Sequence, residues 1–393
     1  MSSDPVPPAE LEALRDRHIY WLGNSNVRYE YLHAAYFAAH YAWPTPNLRV
    51  VGRDGKAAIV DDITRSEFKC YKNTRGASWE EGWRNYYRFS SLDLLTNDSN
   101  AAQEKCDCYR SNAEDVPFRE HRRFHNAKLN LTLSFTFANP LSVPIYALPD
   151  WSDGALQSCS PWCLPREQSE TRRLYDMASF LRVQVARATP DVLLVGFDNT
   201  VPLQPGQNAS LAASEHWPWT RVVLASASAA AARLVWRAAT PWLATKLLPC
   251  KGFECWHRIS GAHVPLDFIK HVLFTPPVAS SAGRNCSAAN SSVDIVGGHF
   301  CAPSHACKIL YFHNVWRHLH AFAAHRKIDA SVDKLLKALY VDSKGIHVNT
   351  DANVVLAKAA LAVVTKALAS CDANEKGARA DYLPGGSVVA ELA

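Results

Sequence analysis

The sequence predicts a three-layer α/β/α domain with a mostly parallel central sheet. Short apolar runs that read as buried strands recur along the chain, at Ile19-Tyr20-Trp21-Leu22, Val192 to Val195, Leu234-Val235-Trp236 and Ile309 to Phe312. Stretches of helical periodicity follow or separate them. Strands alternating with helices bury a parallel sheet on both faces, and in such sheets ligands bind at the carboxyl ends of the strands.

Residues 1–17 are a polar lead-in with a short helix around Leu11 to Arg17. After the run Ile19 to Leu22, Gly23-Asn24-Ser25-Asn26 is a turn. Tyr31, Leu32, Ala35, Ala38 and Ala39 then recur at helical spacing from Val27 onward. Pro44 and Pro46 follow, and Val50 to Gly55 reads as a strand and turn. Residues 60–125 are dense in charge and aromatics, whereas Asn130 to Phe137 alternates as a strand does. Residues 140–170, rich in Pro, Ser and Cys, form a long loop. Arg172 to Ala188 is a helix leading into the strand Val192 to Val195, which ends in a polar turn. Leu211 to Ala232 reads mainly as helix before the strand Leu234 to Trp236.

Residues 245–308 hold five cysteines and two glycosylation sequons and read as an insertion. Helices are predicted at Val315 to His325 and Val332 to Leu339, then a loop through His347 and a last helix from Asp351 to Ala369. The organisation is a single domain over 18–371 with a loose tail at 372–393.

A chain of 393 residues with 48% hydrophobic residues and 12 Trp can bury a sizeable core. Its net charge of +5 is spread without a basic tract, which argues against a nucleic-acid partner. No uninterrupted apolar run reaches the roughly 18 residues of a membrane span. The first 17 residues lack the apolar core of a signal peptide. Eleven cysteines and sequons at Asn97, Asn130, Asn208, Asn285 and Asn290 point the other way, to a disulfide-bearing protein of the secretory pathway (Golgi lumen) or the exterior. On that reading the N-terminus is truncated or mispredicted. Cys106 and Cys108 are expected to reach distant cysteines, with Cys70 a natural partner, because they stand too close to pair with each other.

Ser25 stands at a strand–turn–helix corner, where the free N–H groups of a helix start favour developing negative charge. Gly23 lets the backbone bend without a Cβ clash. A serine nucleophile would sit there, although Asn and Ser equally suit a plain turn and cap. Serine is a poor nucleophile until a base takes its proton, and histidine suits that near neutral pH.

Three separated stretches belong together: Gly23-Asn24-Ser25 with Arg28; Pro190 to Asn199, followed by Leu234 to Pro241; and Tyr340 to Asn349, holding Asp342 and His347. An early serine, a polar strand end in the middle and a late Asp and His resemble the GDSL/SGNH hydrolases. More narrowly they resemble the PC-esterase and trichome-birefringence-like branch, which esterifies or de-esterifies glycans. The likeness is spread from about residue 18 to 370. It implies Ser25 as nucleophile, His347 as base and Asp342 as the acid that holds the imidazole. It also implies an oxyanion hole formed by the Ser25 N–H, the Asn199 amide and a glycine N–H, for which Gly76 and Gly82 are both eligible. Arg28 and Arg237 are candidates for substrate contact, with structural ion pairs as the other reading. The implied partner is an O-acylated polysaccharide or glycan, with no cofactor.

The sequence departs from the family pattern in three places. Asn24 replaces the usual Asp of the first block, a residue that supports the turn. Asp342 lies five residues before His347 rather than three, where Lys344 stands. Gly196-Phe197-Asp198-Asn199 matches the family's Gly-x-Asn loosely. These departures leave room for a catalytically inactive, glycan-binding relative. A zinc-stabilised interaction module would instead use His299, Cys301, His305, Cys307 and His313, whose spacings match no standard finger or ribbon. His318, His320 and His325 fall on a helix without an HExxH pattern.

Overall fold

A computed structural model describes residues 6–45, 48–51, 57–60, 102–109, 119–138, 144–152, 173–196, 233–237, 294–296, 299–301, 310–313, 315–328, 338–340 and 347–376, together with Val223, Ser226, Ala227, Ala230, Ala231 and Lys334. In chain order the elements are α1 (Ala9–Glu12), β1 (His18–Gly23), α2 (Ser25–His40), β2 (Leu48–Val51), β3 (Ala57–Val60), β4 (Ala102–Tyr109), β5 (Arg119–Asn126), β6 (Leu131–Phe137), β7 (Ile145–Tyr146), β8 (Leu174–Tyr175), α3 (177–188), β9 (Val192–Gly196), β10 (Arg233–Arg237), β11 (Asp294–Val296), β12 (His299–Cys301), β13 (Leu310–His313), α4 (Val315–His325) and α5 (Thr350–Lys376). A π-helical turn, Phe180–Val185, lies within α3.

Among the described residues, seven strands form the main sheet in the order β13-β10-β9-β1-β6-β5-β4. The first five run parallel, and β6-β5-β4 continue antiparallel to one edge. Alternation along β1 feeds two cores, because successive side chains point to opposite faces. Ile19 and Trp21 pack with α2 and α5 on one face; Tyr20 and Leu22 pack with α3 and β9 on the other. Val223, Ala227 and Ala230, at helical spacing, close that second face. The sheet is therefore covered on both sides, as a three-layer α/β fold requires.

Helix α2 begins where the Asn24 side chain accepts from the Asn26 N–H at 3.1 Å, a cap that satisfies one otherwise free donor. It ends at Tyr41, whose left-handed φ of 57° closes the last turn by donating to the Phe37 carbonyl. Residues all round α2 are buried; it packs on the sheet and against α5, which lies on the same sheet face. Within α5, the stretch Thr350–Ala369 is long and apolar enough to cross a membrane. In this fold 61% of it is buried, so core packing accounts for its apolar character.

The strands β4 and β5 run through the segment read only as charged and aromatic. β5 reads Arg-Glu-His-Arg-Arg-Phe-His-Asn and is nonetheless largely buried. Its charges are paired, mostly within the sheet and once to α2. Arg28 on α2 meets Glu120 at 3.2 Å, Arg122 meets Glu120 at 2.7 Å and Glu104 at 3.5 Å, and Arg119 meets Asp107 at 2.8 Å. Burial pushes the Glu104 carboxyl up to about 7, against the pull of Arg122 and the bond donated by Tyr31. Burial would also raise Glu120, but Arg28 and Arg122 outweigh it and hold that carboxyl low.

Cys106 and Cys108 correct the expectation of distant partners: the structure joins them to each other. Residues two apart on a strand point to the same face, and their Cα atoms are 5.5 Å apart, within the span a disulfide bridges. The last helix continues past Cys371 to Lys376, so the chain is regular beyond the point where the loose tail was expected. Cys70, the partner expected from the sequence, and most of the 245–308 insertion lie outside the described residues. Within that insertion β11 and β12 form a two-stranded antiparallel ribbon.

On the face away from α2, His18 ties three elements together. Its Nδ1 donates to the Ala188 carbonyl at 2.9 Å, so the neutral ring accepts from the Ser134 hydroxyl through Nε2 at 2.8 Å. Burial pushes the ring down to about 4 despite the carbonyl bond. An unfolded chain would take up this proton near 6.5, so the stabilisation is complete above that pH and is lost as pH falls towards 4. Urea unfolding of wild type and His18→Gln is expected to show the difference in stability shrinking by on the order of 3 kcal/mol between pH 7 and pH 4. A pH-independent difference would contradict this assignment.

Candidate active site

The carboxyl ends of β1, β9 and β10 lie side by side, with Gly23 opposite Gly196 and Gly196 opposite Arg237. Both glycines are required by close approach. A Cβ on Gly23 would lie 2.0 Å from the Gly196 carbonyl oxygen, and one on Gly196 would lie 2.6 Å from Arg237 Cδ and 2.9 Å from Val27 Cγ2. Two glycines thus let the start of α2 settle directly onto the strand ends, with Ser25 in its first turn.

His347 arrives from the far end of the chain. Its Nε2 lies 2.7 Å from Ser25 Oγ, across 322 residues of sequence. Both residues are half-buried, open enough to meet a ligand and sheltered enough to hold their geometry.

The backbone that carries His347 is anchored immediately after it. Val348 bridges to Tyr340, the Asn349 N–H donates to the Leu339 carbonyl at 2.7 Å, and the Asn353 amide donates to the Val348 carbonyl at 2.8 Å. Asn349 also caps α5, its side-chain oxygen accepting from the Ala352 N–H at 3.0 Å while its amide donates to the Ala338 carbonyl at 2.7 Å. Loss of such a cap costs about 1 kcal/mol. Asn349→Ala is therefore expected to lower stability by about 1–2 kcal/mol and to shift the ring resonances of His347, which sits two residues upstream. Thermal melts and ¹⁵N spectra on the same samples check this.

Below the corner, Glu30 receives Arg237 Nε at 2.7 Å, and His313 Nε2 stands 3.5 Å away on the adjacent strand. All three side chains are fully buried. Burial alone would push the Glu30 carboxyl up; Arg237 and His313 outweigh it, and the net direction is down. The triad locks α2 to the ends of β10 and β13.

The structure brings together Ser25 and His347. It does not place Arg28 and Arg237 at a substrate surface: the first is buried against Glu120 and the second against Glu30. The candidate substrate contacts are thereby corrected to interior ion pairs, because an arginine beside a buried carboxylate is held there by charge. Asp342, Asn199, Gly76 and Gly82 lie outside the described residues. Asn24 supports the turn by capping α2. Of the proposed zinc ligands, His305 and Cys307 lie outside the described residues, while His313 faces Glu30. Among the described residues no group of three or more His, Cys, Asp or Glu is placed to hold a metal ion.

Sequence reasoning missed Asn349, Asn353, Glu30 and Gly196 as parts of the site's support. An asparagine just before a helical run is a readable cap signal. Glu30 gave no signal, because a lone acid on an apolar helix reads as solvated until its partner strand is known.

No family model matches the chain, and no curated protein matches it. Among solved structures it is similar to a peptidoglycan O-acetylesterase, at 9% identity and a TM-score of 0.35, over 92% of this chain and 94% of that one. A likeness this distant leaves the chemistry to the residues themselves.

Proposed function

We propose that the protein is a serine-dependent acyl-ester hydrolase or acyltransferase. The observation that carries this reading is the 2.7 Å contact between Ser25 Oγ at a helix start and the ring of His347. Ser25 Oγ attacks the ester carbonyl while its proton passes to His347 Nε2, giving a tetrahedral oxyanion. The first-turn N–H groups of α2 favour that negative charge. Collapse breaks the bond to the leaving alcohol, which takes the proton from His347, and an acyl-serine remains. Water or a sugar hydroxyl then attacks the acyl carbon, its proton going to His347; the Oγ–acyl bond breaks, Ser25 Oγ takes that proton back, and a carboxylic acid (from water) or a new ester (from the sugar) is released.

The sequence resemblance to the PC-esterase branch favours O-acylated, in particular O-acetylated, glycans as substrates. With its cysteines and sequons, it also favours action in the Golgi lumen or outside the cell. Asp342, close in sequence to His347, is the proposed acid partner and Asn199 the proposed second oxyanion donor. The test is hydrolysis of p-nitrophenyl acetate by wild type and Ser25→Ala. Loss of turnover in the variant, with folding intact, is expected; equal rates would remove Ser25 as nucleophile.

A further inference from the structure

We infer that Tyr29 is a positioning residue for the His347 imidazole, an inference that rests on the proposed role of His347 as base. Ser25 and Tyr29 are four residues apart on α2 and so lie on one helical face, one turn from each other. The His347 ring spans both. Its Nε2 meets Ser25 Oγ at 2.7 Å, and its plane stands at 89° to the Tyr29 ring with centroids 5.6 Å apart. A hydrogen bond alone fixes the distance of an imidazole and leaves its plane free to swing about the side-chain torsion. An edge-to-face aromatic contact on a second side removes that freedom.

Tyr29 is itself immobilised. It is fully buried, and the Arg28 guanidinium lies 4.8 Å from its ring centroid while pairing with Glu120 at 3.2 Å. The sheet strand β5 is thereby connected through Arg28 and Tyr29 to the catalytic ring, and one helix sets both the nucleophile and the tilt of its base. Because the contact is with the ring, an aromatic residue without the hydroxyl should serve. Because Tyr29 touches the base and is closed to solvent, it should affect turnover rather than substrate binding.

The test uses Tyr29→Phe, Tyr29→Leu and Ser25→Ala in the full chain, with p-nitrophenyl acetate as substrate and ¹⁵N resonances of the His347 ring as a second readout. Tyr29→Phe is expected to stay within about 2-fold of wild type. Tyr29→Leu, which keeps much of the apolar volume, is expected to lose on the order of 10- to 100-fold in kcat with KM within about 2-fold, and to shift the His347 ring resonances. Wild-type kcat per folded molecule and unchanged ring resonances in Tyr29→Leu would overturn the inference while leaving Ser25 and His347 in place. Undiminished turnover in Ser25→Ala is a different result, and it would overturn the reading of the site itself.

Discussion

His347→Ala is expected to lower kcat/KM for an activated ester by on the order of 10⁴-fold, without a comparable loss of stability. The ring is half-buried and its support comes from the backbone at Val348 and Asn349, so removing the side chain leaves the anchor in place. What is lost is the acceptor 2.7 Å from Ser25 Oγ. Without a base, the hydroxyl must lose its proton to water, and members of such a catalytic pair act as a unit. The double variant Ser25→Ala/His347→Ala should therefore be scarcely worse than either single variant. Rates of the two singles multiplying in the double would show that the two residues act separately.

The second large effect is on stability. Arg237→Met is expected to cost about 3–5 kcal/mol, because it takes the guanidinium away from the buried Glu30 carboxylate. Replacing both partners, Glu30→Leu with Arg237→Met, should recover part of that loss, since well-packed apolar groups often match a buried ion pair. Urea unfolding midpoints check both. The single variant should also lose activity out of proportion to its unfolded fraction, because the pair joins the helix carrying Ser25 to the strand ends. A cost below 1 kcal/mol would show that the pair does not hold this corner.

The parallel part of the fold was legible because its strands are apolar on both faces. Ile19 to Leu22, Val192 to Val195 and Leu234 to Trp236 contain little but buried hydrophobic side chains, and each is a central strand. The antiparallel edge was not legible. Glu104, Asp107, Arg119, Glu120 and Arg122 break the usual pattern of a buried strand, and only the tertiary pairing of those charges shows that β4 and β5 are interior. Propensity and period describe a strand against water or oil; they say nothing of a strand whose charges are met by a neighbouring strand and a helix.

The site divides in the same way. Ser25 was legible from the glycine, the turn and the helix that follows, and His347 through the family likeness, by its place just before the last helix. The two arginines were visible as candidate substrate contacts only through a family likeness, and their burial against Glu120 and Glu30 could not be read from either flanking sequence. Tyr29 carried no signal, since an aromatic on a buried helix face reads as ordinary core.

The central claim is that Ser25 forms a covalent acyl intermediate. Intact-mass and peptide mass spectrometry after rapid acid quench of the protein with p-nitrophenyl acetate tests it most directly, with His347→Ala and Ser25→Ala as companions. A single acetyl group is expected on the peptide containing Ser25 in wild type, formed within turnover time and absent from both variants. Turnover with no acetyl adduct, or the same adduct level on another residue in Ser25→Ala, would contradict it.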